Sequence, residues 1–369
     1  MKIGIDISQT AYFGTGVAAY TRLLVASLLE IDRNNQYVLF AGSWRRRGVL
    51  TKYLKSLPTN ANFHPAVLPL PPTALDLIWN KLHIVGVERF VGKVDIFHTS
   101  DWTEPPAKAK KVTTIHDMLV YKYPEYLNRR IVETQKRKLA WVKKEAAAIL
   151  TDSVATKLDV IKYLKIPEEK IHVVYLGVAI NYYPRPKDEV ARVKLKYGIT
   201  GEYILAVGTR EPRKNLDRIK TSFGKLKLKD YTLAISGAYG WGKDIMPDDN
   251  VKLLGYVDET DLPAIYTGAT GFIYPSLYEG FGLPVLEAMA CGVPVVTANS
   301  GSLAEITGDL AITVDPEAET DIAVGIDKVI NLSAAKRTEI SDAGRKHAGR
   351  FTWKKTAEQT LKVYNSVLI

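Results

Sequence analysis

Two glutamates eight positions apart, Glu279 and Glu287, bracket most of the stretch "EGFGLPVLEAMACGVPVV" (279–296). A core helix needs neither acid. The run "TGFIYPS" (270–276) reads as a strand, and a helix beginning at Pro284 would use that residue's fixed φ at its first position. Gly292 sits where a helix-ending glycine belongs. Glu279 then falls in the turn and Glu287 in the first helical turn. Gly280 and Gly282 let the backbone come close to a ligand, and the open N–H groups of a helix start favour an anion such as a phosphate. Carboxylates on either side of that phosphate can accept hydrogen bonds from hydroxyls. A nucleotide-sugar has that layout: sugar, diphosphate, ribose. For Glu287 alone, an acid placed to suit the helix dipole is an equal reading.

Cations stand ready in "VGTREPRKNLDRI" (207–219). Gly208 opens a turn after a strand, and Arg213 and Lys214 precede a helix whose N-cap would be Asn215. Two adjacent cations can neutralise a departing diphosphate where no metal does so. Arg210 could equally pair with Glu211 or face solvent. In the first half, "YFGTGVAAYTRLL" (12–24) puts Gly14, Thr15 and Gly16 in a strand-to-helix loop able to touch a ligand. Ala19 breaks the G-x-G-x-x-G pattern, so this is not the dinucleotide fingerprint. "TTIHDMLVYKYPE" (113–125) closes a strand on His116 and Asp117, while a satisfied structural histidine is the plainer alternative. Asp152 and Ser153, in "TDSVATKLDV" (151–160), are helix-cap candidates. There is no D-x-D and no His/Cys cluster of metal-ligand spacing, so no metal is expected.

These residues need elements to hold them. Short runs rich in Val and Ile, such as "KIGIDIS" (2–8), "VDIFHTS" (94–100), "YILAVGT" (203–209) and "VPVVTAN" (293–299), alternate with helical patterns. Continuous apolar runs separated by helices predict parallel sheets covered on both faces. In the first helix, Val17, Leu23, Leu24, Leu28 and Ile31 form the expected buried stripe. "NYYPRPKDEV" (181–190) reads as a linker. The expectation is an α/β chain of two Rossmann-like domains: residues 1–182 with a closing helix at 353–369, and residues 183–352. Ligands of such sheets bind beyond the carboxyl ends of the strands, here in a cleft faced by both domains.

Composition bounds the function. The 369 residues include one cysteine, so no internal disulfide forms and a reducing compartment is expected. "MKIGIDIS" lacks the pattern of a signal peptide, and no apolar stretch approaches the roughly 18–20 residues that span a bilayer. A cytoplasmic protein is the expectation. The net charge is +10, and all of that excess lies in the first half. Residues 1–180 hold 26 Lys+Arg against 16 Asp+Glu, while residues 181–369 hold 24 of each. Such asymmetry calls for an anionic partner or a solvated lysine-rich face. No nucleic-acid motif accompanies the charge. Basic residues near Trp44 and Trp141, with the apolar run 71–87, could instead rest on anionic lipid at the inner membrane face. The same apolar residues could equally be core.

The ungapped string E-GFGLPVL-E resembles the signature of the retaining glycosyltransferases of family 4 (group 1), which have the GT-B fold. The resemblance implies that Glu279 holds donor-sugar hydroxyls and Glu287 the ribose. Phe281 and Gly282 would offer amides to the sugar, and Leu283 an amide to the phosphate. Arg213 and Lys214 would clamp the diphosphate, and the Gly14–Gly16 loop would close on it. His116 would meet the donor sugar, oriented by Asp117, and Gly255 and Tyr256 would border the base. The implied activity is metal-independent, with the leaving phosphate taking the acceptor's proton, so Glu279 is not a nucleophile. The string "GTREPRKNL" with "IHD" resembles mannosyltransferases of bacterial surface polysaccharides. That favours GDP-mannose as donor and a glycan or lipid-linked acceptor. UDP- and dTDP-sugars stay open, as does a non-catalytic nucleotide-sugar-binding protein.

Overall fold

The computed structural model describes residues 1–12, 14–58, 61–99, 101–242, 245–247 and 249–369. Phe13 of the glycine loop and Ser100, the end of the 94–100 run, lie outside the described residues. The chain divides into two compact units, Met1–Gly177 with Thr352–Ile369, and Val178–Phe351.

Unit one is built on a seven-stranded sheet of order β3-β2-β1-β4-β5-β6-β7. Its strands are β1 (Lys2–Asp6), β2 (Gln36–Gly42), β3 (Phe63–Leu68), β4 (Ile96–Thr99), β5 (Lys110–Ile115), β6 (Ala146–Thr151) and β7 (Ile171–Val173). All neighbouring strands pair in parallel. The runs are apolar on both faces because helices cover both. Ile3, Ile5, Leu39, Phe40, Ile96 and Phe97 are accordingly buried.

The helix Gly16–Ile31 buries Ala18, Tyr20, Thr21, Leu24, Val25, Leu28 and Leu29, while Val17, Leu23 and Ile31 are only half-buried. The buried face is thus turned from the expected stripe, because the closing helix Trp353–Ser366 also packs on it. That helix is seated at Gly177, where a Cβ would stand 2.1 Å from Trp353 N. Only glycine permits so close an approach. Thr356 Oγ1 donates to Tyr175 O at 2.8 Å, and buried Tyr364 hydrogen-bonds His98 Nδ1 at 2.6 Å.

The apolar run 71–87 divides its side chains. Leu75, Trp79 and Val87 join Phe40 and Phe97 in the core, whereas Leu77, Leu82, Ile84 and Val85 are exposed. Val85 has φ 63° and His83 φ 49°. For a β-branched residue that left-handed conformation is strained.

Unit two carries a six-stranded sheet of order β10-β9-β8-β11-β12-β13. The strands are β8 (Glu202–Val207), β9 (Tyr231–Ser236), β10 (Val251–Gly255), β11 (Gly271–Tyr274), β12 (Val295–Ala298) and β13 (Ile312–Val314). All pairs are again parallel. Ile204, Ile235, Ile273, Val296, Ile322 and Ile326 fill its core.

Candidate active site

In unit two the carboxyl ends of β8 and β11 bring the two signature stretches together. Arg213 and Lys214 occupy a short 3-10 turn, Pro212–Lys214, and Leu277 N donates to Arg213 O at 2.8 Å, tying that turn to the loop after β11. Glu279 in that loop accepts from Arg213 Nη1 on one oxygen and from Lys214 Nζ on the other, both at 2.7 Å. Tyr274 donates to Glu279 at 3.0 Å and also receives a hydrogen bond from Lys214. Glu211 accepts from Arg213 Nε at 2.8 Å, and Ser302 Oγ donates to Glu279 O at 2.8 Å.

Burial by itself would raise Glu279, but the charges of Arg213 and Lys214 outweigh it and hold the carboxyl at about 2. Glu279 is therefore ionised at neutral pH and can only accept hydrogen bonds. Burial and Arg213 lower Lys214, against the pull of Glu279.

Asn215 stands at the N-cap of the helix Leu216–Lys225, but it does not cap it. In the left-handed conformation, its amide instead donates to Pro275 O at 3.0 Å and Pro316 O at 2.6 Å, fixing this turn to the loops after β11 and β13. Arg210 neither pairs with Glu211 nor faces solvent. It is buried, with its guanidinium 4.0 Å over the Tyr239 ring, because Glu211 is taken by Arg213.

The helix after Glu279 runs Leu283–Ala290 with Gly282 at its N-cap. Glu287 therefore lies in the second turn, not the first, because the helix begins one residue earlier than Pro284. Gly282 has φ 113°, and a Cβ there would stand 2.6 Å from Leu303 Cδ2. Phe281 packs its ring against Phe351 with the ring centroids 6.1 Å apart. Gly280 precedes it in the same buried turn. Gly292, at φ 76°, ends the helix as expected.

Glu287 accepts from Tyr266 OH at 3.1 Å. Burial raises it to about 7, opposed by the hydroxyls of Tyr266 and Tyr182. Gly208 follows β8 with φ 155°, and Gly255 ends β10 with φ 67° beside the exposed Tyr256.

In unit one, His116 and Asp117 follow β5. His116 Nδ1 lies 2.7 Å from Asp152 Oδ2, and its ring meets Tyr20 edge-on at 4.5 Å. The carboxylate orienting His116 is thus Asp152 and not Asp117, whose Oδ1 accepts from Leu119 N at 2.9 Å. Strand register explains the exchange. Ile115 pairs with Thr151 across β5 and β6, so the next residues, His116 and Asp152, emerge side by side. Burial disfavours a charged His116, but Asp152 outweighs it and raises the imidazole above its ordinary value. Ser153 caps its helix through Thr156 N at 3.0 Å.

The glycine loop places Gly14 at φ 77°, Thr15 as the N-cap accepting from Ala18 N at 3.3 Å, and Gly16 as the first helical residue. Sequence reasoning missed Tyr274, Tyr266 and Glu211, and read Asp152 as a cap. The only early signal was that "TDS" ends a strand.

The paired parallel sheets define a two-domain α/β protein of the GT-B fold. HepE of Anabaena, in complex with UDP and glucose, matches with a TM-score of 0.73 and 16% identity over 99% of this chain and 100% of that one. WaaG, a glycosyltransferase involved in lipopolysaccharide biosynthesis, matches at 0.72 with 14% identity over 98% of each chain. Residues 188–347 fit the model of the glycosyl transferases group 1, and residues 14–182 that of glycosyltransferase family 4. The chain is 34% identical to O-antigen chain mannosyltransferase B of Escherichia coli over 99% of both proteins. The chain belongs to glycosyltransferase family 4, within group 1, and is a glycosyltransferase.

Proposed function

We propose that the chain transfers mannose from GDP-mannose to a glycan or lipid-linked acceptor, with retention and without a metal. The observation behind this reading is the ionised Glu279 held between Arg213 and Lys214. Two cations beside an acceptor-only carboxylate suit a sugar diphosphate: the carboxylate takes sugar hydroxyls, and the cations take charge as the leaving group departs. In the proposed step the acceptor oxygen bonds to the anomeric carbon on the face from which the carbon–oxygen bond to phosphate breaks. The acceptor's proton passes to the departing phosphate oxygen. Glu287 takes the ribose hydroxyls, the amides at 281–283 face sugar and phosphate, and Gly255 and Tyr256 border the base. In unit one His116, steadied by Asp152, donates to a sugar hydroxyl, and the Gly14–Gly16 loop meets the diphosphate. The similarity to an O-antigen chain mannosyltransferase supports mannose and a glycan acceptor.

A thermal-shift panel with GDP, UDP, dTDP and ADP, each in EDTA and in magnesium, tests the donor. At 100 times its dissociation constant a ligand stabilises by about 2.7 kcal/mol. GDP should stand out, equally in EDTA. A dominant response to UDP or dTDP would replace the donor, and no response would overturn the site. Turnover of GDP-mannose separates an enzyme from a binding protein.

No helix among the described residues is long and apolar enough to cross a membrane. The reading includes peripheral contact with anionic lipid on the cytoplasmic side, through exposed Leu77, Leu82 and Ile84 and the basic surface of unit one. Unchanged sedimentation with anionic vesicles at low salt would defeat it.

A further inference from the structure

Unit one contains a cavity of about 820 Å³ that none of the residues discussed above as donor-binding or catalytic lines. Its walls are the loops after three neighbouring parallel strands. Tyr12 comes after β1, Ser43 to Arg46 after β2, and Pro71 to Thr73 after β3. Arg130 adds a fourth wall from the first turn of the helix Arg129–Glu145. The volume is that of a small-molecule site, and the carboxyl ends of parallel strands are where such sites form.

Among the described residues the lining has three arginines and no acid. Arg46 is held in place: Nη1 donates to Ala11 O at 3.2 Å, and the guanidinium lies 4.6 Å over the Tyr12 ring. The Arg45 and Arg130 side chains have no hydrogen bond or ion pair among the described residues. An anion with more than one charge is the complement of three such groups. Trp44 stands beside them with 68% of its surface exposed, an apolar side chain open to solvent. The C–H face of a sugar ring fits such an indole, and its hydroxyls reach solvent and Ser43. Arginine with aromatics also suits single-stranded nucleic acid, but there the charge lines a groove tracking the backbone. Here it is gathered around one cavity.

Position sets the length of the occupant. His116 follows β5, and the sheet order puts β1, β2 and β3 two, three and four strands from it. At strand spacings of about 4.8 Å, the cavity lies roughly 10–19 Å from His116 along the sheet edge. A ligand anchored there reaches His116 only if it is longer than one sugar ring.

We propose that this cavity holds the phosphate-bearing reducing end of an oligosaccharide acceptor, with Arg45, Arg46 and Arg130 on the phosphate and Trp44 on the first ring. The inference rests on the acceptor reading given under the proposed function. The shared chemistry, a phosphate joined to a sugar ring, also occurs in a lipid headgroup, so the test separates the two.

Calorimetry on the full chain would compare α-mannobiose bearing a methyl diphosphate at its reducing end with methyl α-mannobioside. The charged probe should bind about tenfold or more tightly; the double variant Arg45→Ala with Arg130→Ala should lose that advantage, and Trp44→Ala should weaken both probes. These side chains are exposed, so the variants should keep the wild-type melting temperature. They should also keep the wild-type GDP-induced shift, which reads unit two. Equal binding of both probes, or unchanged affinity in the double variant, would overturn the proposal. So would methyl diphosphate alone competing as well as the glycan, or a ribo-oligonucleotide binding more tightly. Variants that lose sedimentation with phosphatidylinositol vesicles but keep mannobiosyl diphosphate affinity would assign the cavity to a headgroup instead. A wild-type chain that ignores GDP yet binds the charged glycan would defeat the donor reading and leave the anchor standing.

Discussion

Lys214 Nζ and Glu279 Oε1 stand 2.7 Å apart, with only 10% and 8% of their side chains exposed. Arg213 closes the other side of the carboxylate at 2.7 Å. The cations proposed to clamp a diphosphate are thus already engaged by the carboxylate proposed to hold the sugar. Donor binding on this reading redistributes hydrogen bonds within a preformed ionic cluster.

Glu279→Gln keeps the shape and removes the charge. Breaking a buried ion pair from one side costs about 3–5 kcal/mol, so the unfolding transition of unit two should fall to lower temperature. Since Glu279 is depressed from its ordinary 4.5 to about 2, its stabilisation is present above pH 4.5 and lost as pH falls towards 2. Denaturation of both proteins between pH 7 and 3 should show the gap narrowing below about pH 4.5. GDP affinity should survive, because the cations remain, while turnover falls by about 10²–10³. Equal loss of both would refute the division of roles.

Glu287 gives the opposite sign. Burial raises it to about 7, so its favourable contribution to stability is present below its ordinary 4.5 and lost as pH rises through 7. Ribose hydroxyls donating to it favour the ionised form. Nucleotide binding at pH 7 should therefore release about half a proton, and affinity should rise from pH 6 to 8. Calorimetry in buffers of different ionisation enthalpy measures this. Glu287→Gln should abolish it, and a persistent release would place the titrating group elsewhere.

Asp152→Asn should lower the His116 pKa and cut kcat by about 10²-fold through misplacement of the ring. Asp117→Asn should cost less. An NMR titration of His116 in each variant checks the partner directly, and equal shifts would show both carboxylates at work.

The parts legible in the sequence are those coded locally. The strand–turn–helix around Glu279 and the clamp turn of Arg213 and Lys214 are each read from a dozen adjacent residues. The alternation of apolar runs and helices showed two parallel sheets for the same reason. Asp152 was missed because its place beside His116, 36 positions away, follows from β5–β6 register and not from any neighbour in the chain. Tyr274 and Tyr266 look like core aromatics, and where a hydroxyl points is set only by the packed structure. The half-apolar run 71–87 was ambiguous because irregular backbone around His83 and Val85 breaks its helical period.

Gly282→Ala tests the loop. With φ at 113° and Leu303 Cδ2 2.6 Å from the added carbon, the variant must bear strain of about 1–3 kcal/mol. Loss of donor affinity with a small drop in melting temperature is expected. Gly16→Ala, which meets nothing within 4 Å, is the control and should leave stability nearly unchanged.

The return of the closing helix to unit one also orders events during synthesis. Residues 178–351 form an unbroken stretch and can fold as soon as they leave the ribosome. Unit one must wait, although most of it is made first, because residues 352–369 seal it over Gly177 and bury Tyr364 against His98. Until residues 352–369 have left the ribosome, the glycine-loop helix stays uncovered on one side, in reach of chaperones and proteases.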